Sequence, residues 1–457
     1  MTFPTTRRRN WRRHLCLLCA TVLSGLVTAA PPPKAPPVPA LPVIPQAASI
    51  GEWFTAGRPL LGVRLRYEHA DDALRFEAAD ALSLRTALGF RTASLHGVFA
   101  LAEIESVLAV GDYDDGGANR GEAPRLSLIA DPEGTELNQA YVGFDGLPST
   151  VVQVGRQVIT DREAPLHRHV GNVVWRQNWQ TFDAVGAVNA ALPDTIVRAW
   201  YTWNVNRIFG EDHPVRGFDD KALDGYLLNV VHTGLPWGRL ELYAYLLDFE
   251  RSTVRAIRSF YPSTQTYGGR LDGAAALSPR SDFLYVAEVA HQGDFAGNPT
   301  GDIDQFFGWG SLGMTHRPHR WVQTLTARIS HEHLGGDGGA DRFTTPLATG
   351  HAFQGWADRF LNTPGDGVED TYVTFQSGVS GFTLTVMYHW FASDRDHYAY
   401  GEELDWMLTK PVHPHCTVGL KYADYAADGN ARNRVRNAAT GQAADMRNLW
   451  LWLEFQL

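Results

Sequence analysis

Several short strings in this chain hold residue types that do chemistry elsewhere. Gly308-Trp309-Gly310-Ser311-Leu312-Gly313 spells G-x-G-x-x-G. That string cradles a dinucleotide only where it ends a strand and opens a helix. Here Phe306 and Phe307 precede it, Met314 follows, and His316-Arg317-Pro318 breaks any helix. No G-x-S-x-G elbow and no phosphate-binding P-loop occurs. His331-Glu332-His333 would put two imidazoles on one strand face, and His413-Pro414-His415-Cys416 adds a thiol. A zinc site needs three or four ligands, and no further partners stand at recognisable spacing. These histidines, with His167 and His169, therefore read as ordinary strand-face or loop residues. Carboxylate pairs such as Glu103 with Glu105 or Asp366 with Asp370 could be drawn for acid–base work. With 50 acidic residues such pairs arise by chance. No nucleophile stands beside a base, so the sequence points away from an enzyme, and neither cofactor nor metal is expected.

The arginines are more informative. Arg64, Arg66, Arg85, Arg91 and Arg198 each fall on the polar side of a run that alternates in polarity. In Val63–Glu68, Val63, Leu65 and Tyr67 oppose Arg64, Arg66 and Glu68. In Leu82–Arg91, Leu84, Leu88 and Phe90 oppose Ser83, Arg85 and Arg91. In Val197–Asn206, Val197, Tyr201, Trp203 and Val205 oppose Arg198, Thr202, Asn204 and Asn206. In Phe382–Trp390, Phe382, Leu384, Val386, Tyr388 and Trp390 oppose Thr383, Thr385 and His389. A period of two means strands with one apolar and one polar face.

Such runs recur from about Gly62 to the end of the chain, separated by Gly, Pro, Asp and Asn clusters. Some connections are tight, as at Thr233–Gly238 and Gly378–Gly381. Others are long, as at Gly111–Glu122, Asp248–Gln265 and Leu334–Gly367. Tight turns at one end and long loops at the other are the pattern of an antiparallel transmembrane barrel, with short periplasmic turns and long external loops. The last run fits: Leu449, Leu451, Leu453, Phe455 and Leu457 alternate with Trp450, Trp452, Glu454 and Gln456. An apolar residue ending a C-terminal strand is the kind of signal that barrel-assembly machinery reads. Several of the 14 tryptophans, including Trp200, Trp203, Trp237, Trp390, Trp406 and Trp450, stand near run ends, as in interfacial girdles.

The N-terminus reads as an export signal over 1–29. Arg7, Arg8, Arg9, Arg12 and Arg13 precede the apolar run Leu15–Val27 and the small residues Thr28, Ala29 and Ala30. A proline-dense, polyproline-like spacer is expected over 30–60, and the barrel over 61–457. Losing the signal removes five arginines and no acid. The balance moves from 40 basic against 50 acidic residues to 35 against 50, a formal charge of −15. Nucleic-acid binders lean the other way. Cys16 and Cys19 leave with the signal, so Cys416 remains alone and no internal disulfide can form.

In a barrel these arginines face the lumen, because one facing lipid at the midplane costs about 2–4 kcal/mol. There they either draw anions and bind carboxylates bidentately, or pair with lumen acids such as Glu68 and Glu288 and hold the barrel's shape.

Particular strings carry a resemblance. Glu136-Leu137-Asn138-Gln139-Ala140-Tyr141-Val142 is followed by Val154-Gly155-Arg156-Gln157, Trp175-Arg176-Gln177-Asn178 and Gln180-Thr181-Phe182-Asp183. Then come Thr266-Tyr267-Gly268-Gly269, His351-Ala352-Phe353-Gln354-Gly355-Trp356-Ala357-Asp358 and Tyr400-Gly401-Glu402-Glu403-Leu404-Asp405. This order resembles the alginate export family of outer-membrane proteins, over roughly Arg64 to Leu457. The resemblance implies an 18-stranded monomeric barrel in the bacterial outer membrane. It also implies a lumen in which arginines select an anionic uronic-acid polymer, and periplasmic export partners. By motif position it carries over Arg156, Arg176, Asp183 and Asp358 as lumen or gate residues, although alternation around Val152 and Val154 leaves the face of Arg156 open. The leading expectation is passive passage of an anionic polysaccharide or other anionic solute. The alternative is a general or nutrient-specific porin without polymer specificity. An outer-membrane enzyme or adhesin, and a secreted carbohydrate-binding protein, are the rivals of other classes.

Overall fold

The computed structural model describes residues 41–114, 125–163, 167–211, 213, 217–251, 261–297, 302–318, 321–437 and 440–457. The signal at 1–29 and the spacer as far as residue 40 lie outside them, as do parts of two of the long connections.

Alternation becomes strand almost throughout. The strands are β1 (Gln46–Ala47), β2 (Arg58–Asp72), β3 (Ala79–Arg91), β4 (Ser94–Leu95), β5 (Val98–Tyr113), β6 (Gly134–Leu147), β7 (Thr150–Gln157), β8 (Thr181–Asn189), β9 (Thr195–Asn206) and β10 (Asp220–Leu235). They continue as β11 (Gly238–Phe249), β12 (Thr264–Ser278), β13 (Ser281–Asp294), β14 (Asp304–His316), β15 (Val322–Leu334), β16 (Val368–Val379), β17 (Phe382–Ala392), β18 (Ala399–His413), β19 (Cys416–Ala427) and β20 (Met446–Gln456). The two-residue pieces β1 and β4 pair beneath the barrel. The other 18 strands follow one another antiparallel, and β20 pairs with β2 from Gly62↔Gln456 to Asp72↔Met446, so the sheet closes on itself. Closure leaves no sheet edge, which is what lets strands cross a membrane. Among the described residues no helix is long and apolar enough to do so.

Each strand buries one face and shows the other. Leu88, Val142, Tyr226, Leu242, Val289, Phe306, Leu312, Ile329 and Leu451 are exposed around the outside. Arg64, Arg66, Glu68, Glu105, Glu241, Glu288, Glu332 and Asp405 are buried inside. An apolar exterior around a polar interior is the inverse of a soluble sandwich and defines an outer-membrane barrel. At one end the turns are tight. Ser380 and Gly381 take φ of 51° and 80°, the left-handed pair of a two-residue hairpin. At the other end lie the long loops 158–180 and 335–367.

Two local expectations are revised. The stretch 46–55, within the expected spacer, holds β1 and helix α1 (Ile50–Thr55), whose first turn Ser49 caps by accepting from the Glu52 N–H. The first barrel strand begins at Arg58. In β9 the register against both neighbours slips at Trp203. One extra residue inverts the facing of the rest of the strand. Val205 is buried inside, while Asn204 and Asn206 turn to the other face and reach Asp183. Simple alternation had placed all three oppositely.

Candidate functional site

The interior is not an open tube lined by arginines. Loop 335–367 and the described residues of loop 158–180 fold into it, and lumen charges hold them there. Their sequences explain why: neither alternates, and both mix Trp and His with Arg and Asp. They can thus fill apolar gaps and answer charged walls at once.

Loop 158–180 spans the ring. At its C-terminal end the Arg64 guanidinium donates to Gln177 Oε1 at 2.8 Å, to the Val174 carbonyl at 2.9 Å and to the Arg176 carbonyl. Arg66 donates to the Trp175 carbonyl and pairs with Asp131 and with Glu68, the last at 3.1 Å. Arg85 pairs with Glu105 beneath the Trp179 ring, whose centroid is 4.3 Å away, and Glu105 also accepts from the Trp179 N–H at 2.9 Å. These anchors belong to β2, β3 and β5. At its N-terminal end Arg162 pairs with Glu241 at 2.9 Å and Glu288 at 2.7 Å, while Arg168 pairs with Glu332 at 2.6 Å. Those carboxylates stand on β11, β13 and β15. In a ring of 18, β12 stands opposite β2, so the loop reaches from wall to wall. Burial opposes the charge on Arg162, but Glu288, Glu241 and Asp161 hold it above its ordinary range.

Loop 335–367 covers another sector. The Trp356 and Ala357 N–H groups donate to Asp405 at 3.2 Å and Glu403 at 2.7 Å, and Gln354 donates to Glu332. His351 stands between Asp358 and Lys421. Its Nδ1 is 2.8 Å from Asp358 and its Nε2 is 2.6 Å from the Lys421 ammonium. The ammonium can only donate, so Nε2 accepts and the proton sits on Nδ1. The imidazole is neutral, and burial pushes its pKa down to about 4. Trp175 stacks on His351 with centroids 4.8 Å apart. The loops also join each other: Arg176 bridges Glu68 at 3.1 Å and Asp358 at 3.0 Å, and the Gly171 N–H donates to the Leu347 carbonyl at 3.0 Å.

The residues expected to line a pore thus divide. Arg66, Arg85 and Arg176 are matched to acids and hold the plug. Asp358 belongs to the plug itself. Arg64 and Arg198 face the interior and form no ion pair among the described residues; Glu454 stands across from Arg64 on β20, and Arg198 donates to Asn229 at 2.9 Å. Arg91 lies half-buried at the turn end of β3. Arg156 and Asp183, expected as lumen or gate residues, stand outside the lumen. They pair at 2.9 Å on the strand faces opposite the inward Phe182, Ala184 and Gln157, and Glu211 joins them at 2.7 Å. They form a rim cluster, not part of the lumen.

Sequence reasoning missed Arg162, Arg168, Arg270, Arg328 and Lys421. The last three lie on alternating runs and were there to be found. Arg162 and Arg168 lie in a loop and had no periodic signal. Arg328 faces inward on β15 and packs against Gly313, and its side chain makes no hydrogen bond or ion pair among the described residues.

A closed 18-strand barrel with an apolar outside and loops folded into a charged lumen is the architecture of the outer-membrane channels. No known protein family and no curated sequence matches the chain. Solved structures do. The chain is similar to Pseudomonas aeruginosa OpdL at 13% identity, covering 88% of this chain and 99% of that one, with a TM-score of 0.62. It is similar to P. aeruginosa OpdK, solved with vanillate, at 13% identity, 89% and 99% coverage and a TM-score of 0.62. Acinetobacter baumannii OccAB1 matches at 12% identity, 89% and 98% coverage and a TM-score of 0.63. At these identities the likeness is one of fold. It corrects the alginate export resemblance, of which only the outer-membrane barrel class is supported.

Proposed function

We propose that this protein is a selective diffusion porin for small solutes bearing a carboxylate, rather than a conduit for a polyuronate. The carrying observation is the plug. Two loops anchored on opposite walls narrow the interior, which suits a small solute better than a polymer chain. Arg198 and Arg328 face that interior and form no ion pair among the described residues, so a passing carboxylate finds guanidinium groups without a salt-bridge partner. Passage is passive, down the solute's gradient, and needs no chemical step. The similar barrel solved with vanillate, a small aromatic carboxylate, supports the same class of cargo.

The test is a planar bilayer holding the purified barrel under a KCl gradient, paired with swelling of proteoliposomes. The expected result is an anion-selective reversal potential, with swelling in benzoate-type carboxylates and little in neutral sugars of equal size. Strong block by oligouronate with no carboxylate preference would return the polymer reading. Cation selectivity would overturn both.

A further inference from the structure

A second cluster stands outside the plug, at the loop end of β15 to β17. His333 lies between the inward Glu332 and Leu334 and so points outward. Its register partner on β16 is Glu369. Asp394 comes from the connection between β17 and β18. One ligand atom from each of the three lies within 4.8 Å of the others, and all three are half-buried. His333 Nδ1 is 3.7 Å from Asp394 Oδ1. That is too long for a hydrogen bond, and close to the ~3.4 Å edge of a tetrahedron with bonds of about 2.1 Å. Neither the His333 nor the Glu369 side chain makes a hydrogen bond among the described residues. Asp394 is oriented from behind, because its Oδ2 accepts from the Gly336 N–H at 3.1 Å, leaving Oδ1 to the cluster. A carboxylate positioned this way by a backbone donor is usual around bound metals. His397 Nδ1 is 3.8 Å from Glu369 Oε1 but stands outside the converging three. His397 and Asp396 both take left-handed φ, 47° and 68°, which non-glycine residues rarely adopt.

We propose that His333, Glu369 and Asp394 form a three-ligand, zinc-class divalent metal site on the outer rim. The two carboxylates supply anionic oxygens that a divalent ion would balance. Mixed nitrogen and oxygen ligands favour a transition ion over calcium or magnesium, which take oxygen. The site would act on the plug. Asp394 holds Gly336 at the start of loop 335–367, the neighbouring Arg395 N–H donates to the Asp366 carbonyl near its end at 2.9 Å, and Glu369 lies just beyond that end. A bound ion therefore ties both feet of that loop to one point.

The experiment uses untagged, refolded barrel stripped with chelator and titrated calorimetrically with zinc chloride, then with calcium chloride. One saturating zinc equivalent is expected, at least ten-fold weaker in His333→Ala and in Glu369→Gln, with calcium far weaker. Zinc should also slow protease cleavage within 335–367 in the native chain and not in Glu369→Gln. Heat-modifiable gel mobility confirms that each variant is a closed barrel. Absence of a one-to-one step, native affinity in both variants, or calcium binding as tight as zinc would each overturn the proposal.

Discussion

At the scale of single residues, the lumen separates charges that hold from charges that are free, and substitution distinguishes them. Arg64 donates to a side chain and two carbonyls of loop 158–180. Hydrogen bonds from a charged group contribute about 1.5–3 kcal/mol each. Arg64→Ala is therefore expected to loosen 174–177 and raise single-channel conductance. Arg328→Ala disturbs no side-chain bond among the described residues and should lower the anion-to-cation permeability ratio at nearly constant conductance. Both are read from single-channel recordings under a salt gradient. If the two variants behave alike, the division fails. His351 adds a pH dependence. Its folded pKa of about 4 lies below its ordinary 6.5, so the unfolded or detached loop binds the proton more readily. Attachment is complete above about pH 6.5 and weakens as pH falls toward 4. Amide exchange across 351–358 should accelerate over that window, and His351→Gln should flatten the response.

At the scale of elements, loop 335–367 is attached at both feet and along its length. Replacing 340–362 with a short Gly-Ser linker removes Trp356, Ala357 and Phe360 from the interior and spares the rim cluster. Unitary conductance should rise several-fold, and an unchanged value would mean that the loop does not narrow the path. The elements themselves were largely legible in the sequence. Period two marks the strands, and Leu449–Leu457 shows that the last one faces outward. The features that escaped were set by contacts between distant segments. The Trp203 bulge is a one-residue slip that no periodicity announces, and it reverses Asn204, Val205 and Asn206. Arg156 and Asp183 came from a motif likeness and not from alternation, and they stand at the rim. Loop 158–180 carried recognisable words in Trp175–Asn178, yet nothing in those words says that they answer Arg64 and Arg66 across more than a hundred residues. The neighbours of His333 could not be read from local spacing because Glu369 arrives from β16 and Asp394 from the connection after β17.

At the scale of the whole molecule, the exterior is built for lipid and the interior for ions, and the two tolerate charge differently. Leu451 is exposed on the outward face of β20. Leu451→Arg there should cost about 2–4 kcal/mol, measured by urea titration of tryptophan fluorescence in lipid vesicles. A destabilisation below about 0.5 kcal/mol would mean that this face does not meet the hydrocarbon.

The seam where β20 meets β2 has a bearing on assembly. Arg64, Arg66 and Glu68, which seat loop 158–180, all stand on the first strand of the ring, and the Lys421 wall with Trp450 is completed by the last two. Until the final strand docks, the cradle for Trp175 has one side missing. The plug therefore acts as a latch on the finished ring: it can seat fully only in a chain whose two ends have met, and once seated it ties the first strand to the far wall. A barrel that stalls one strand short would remain unlatched, with its cationic cradle exposed to the periplasm and open to proteolysis, so the feature that narrows the channel also marks the chains that have finished folding.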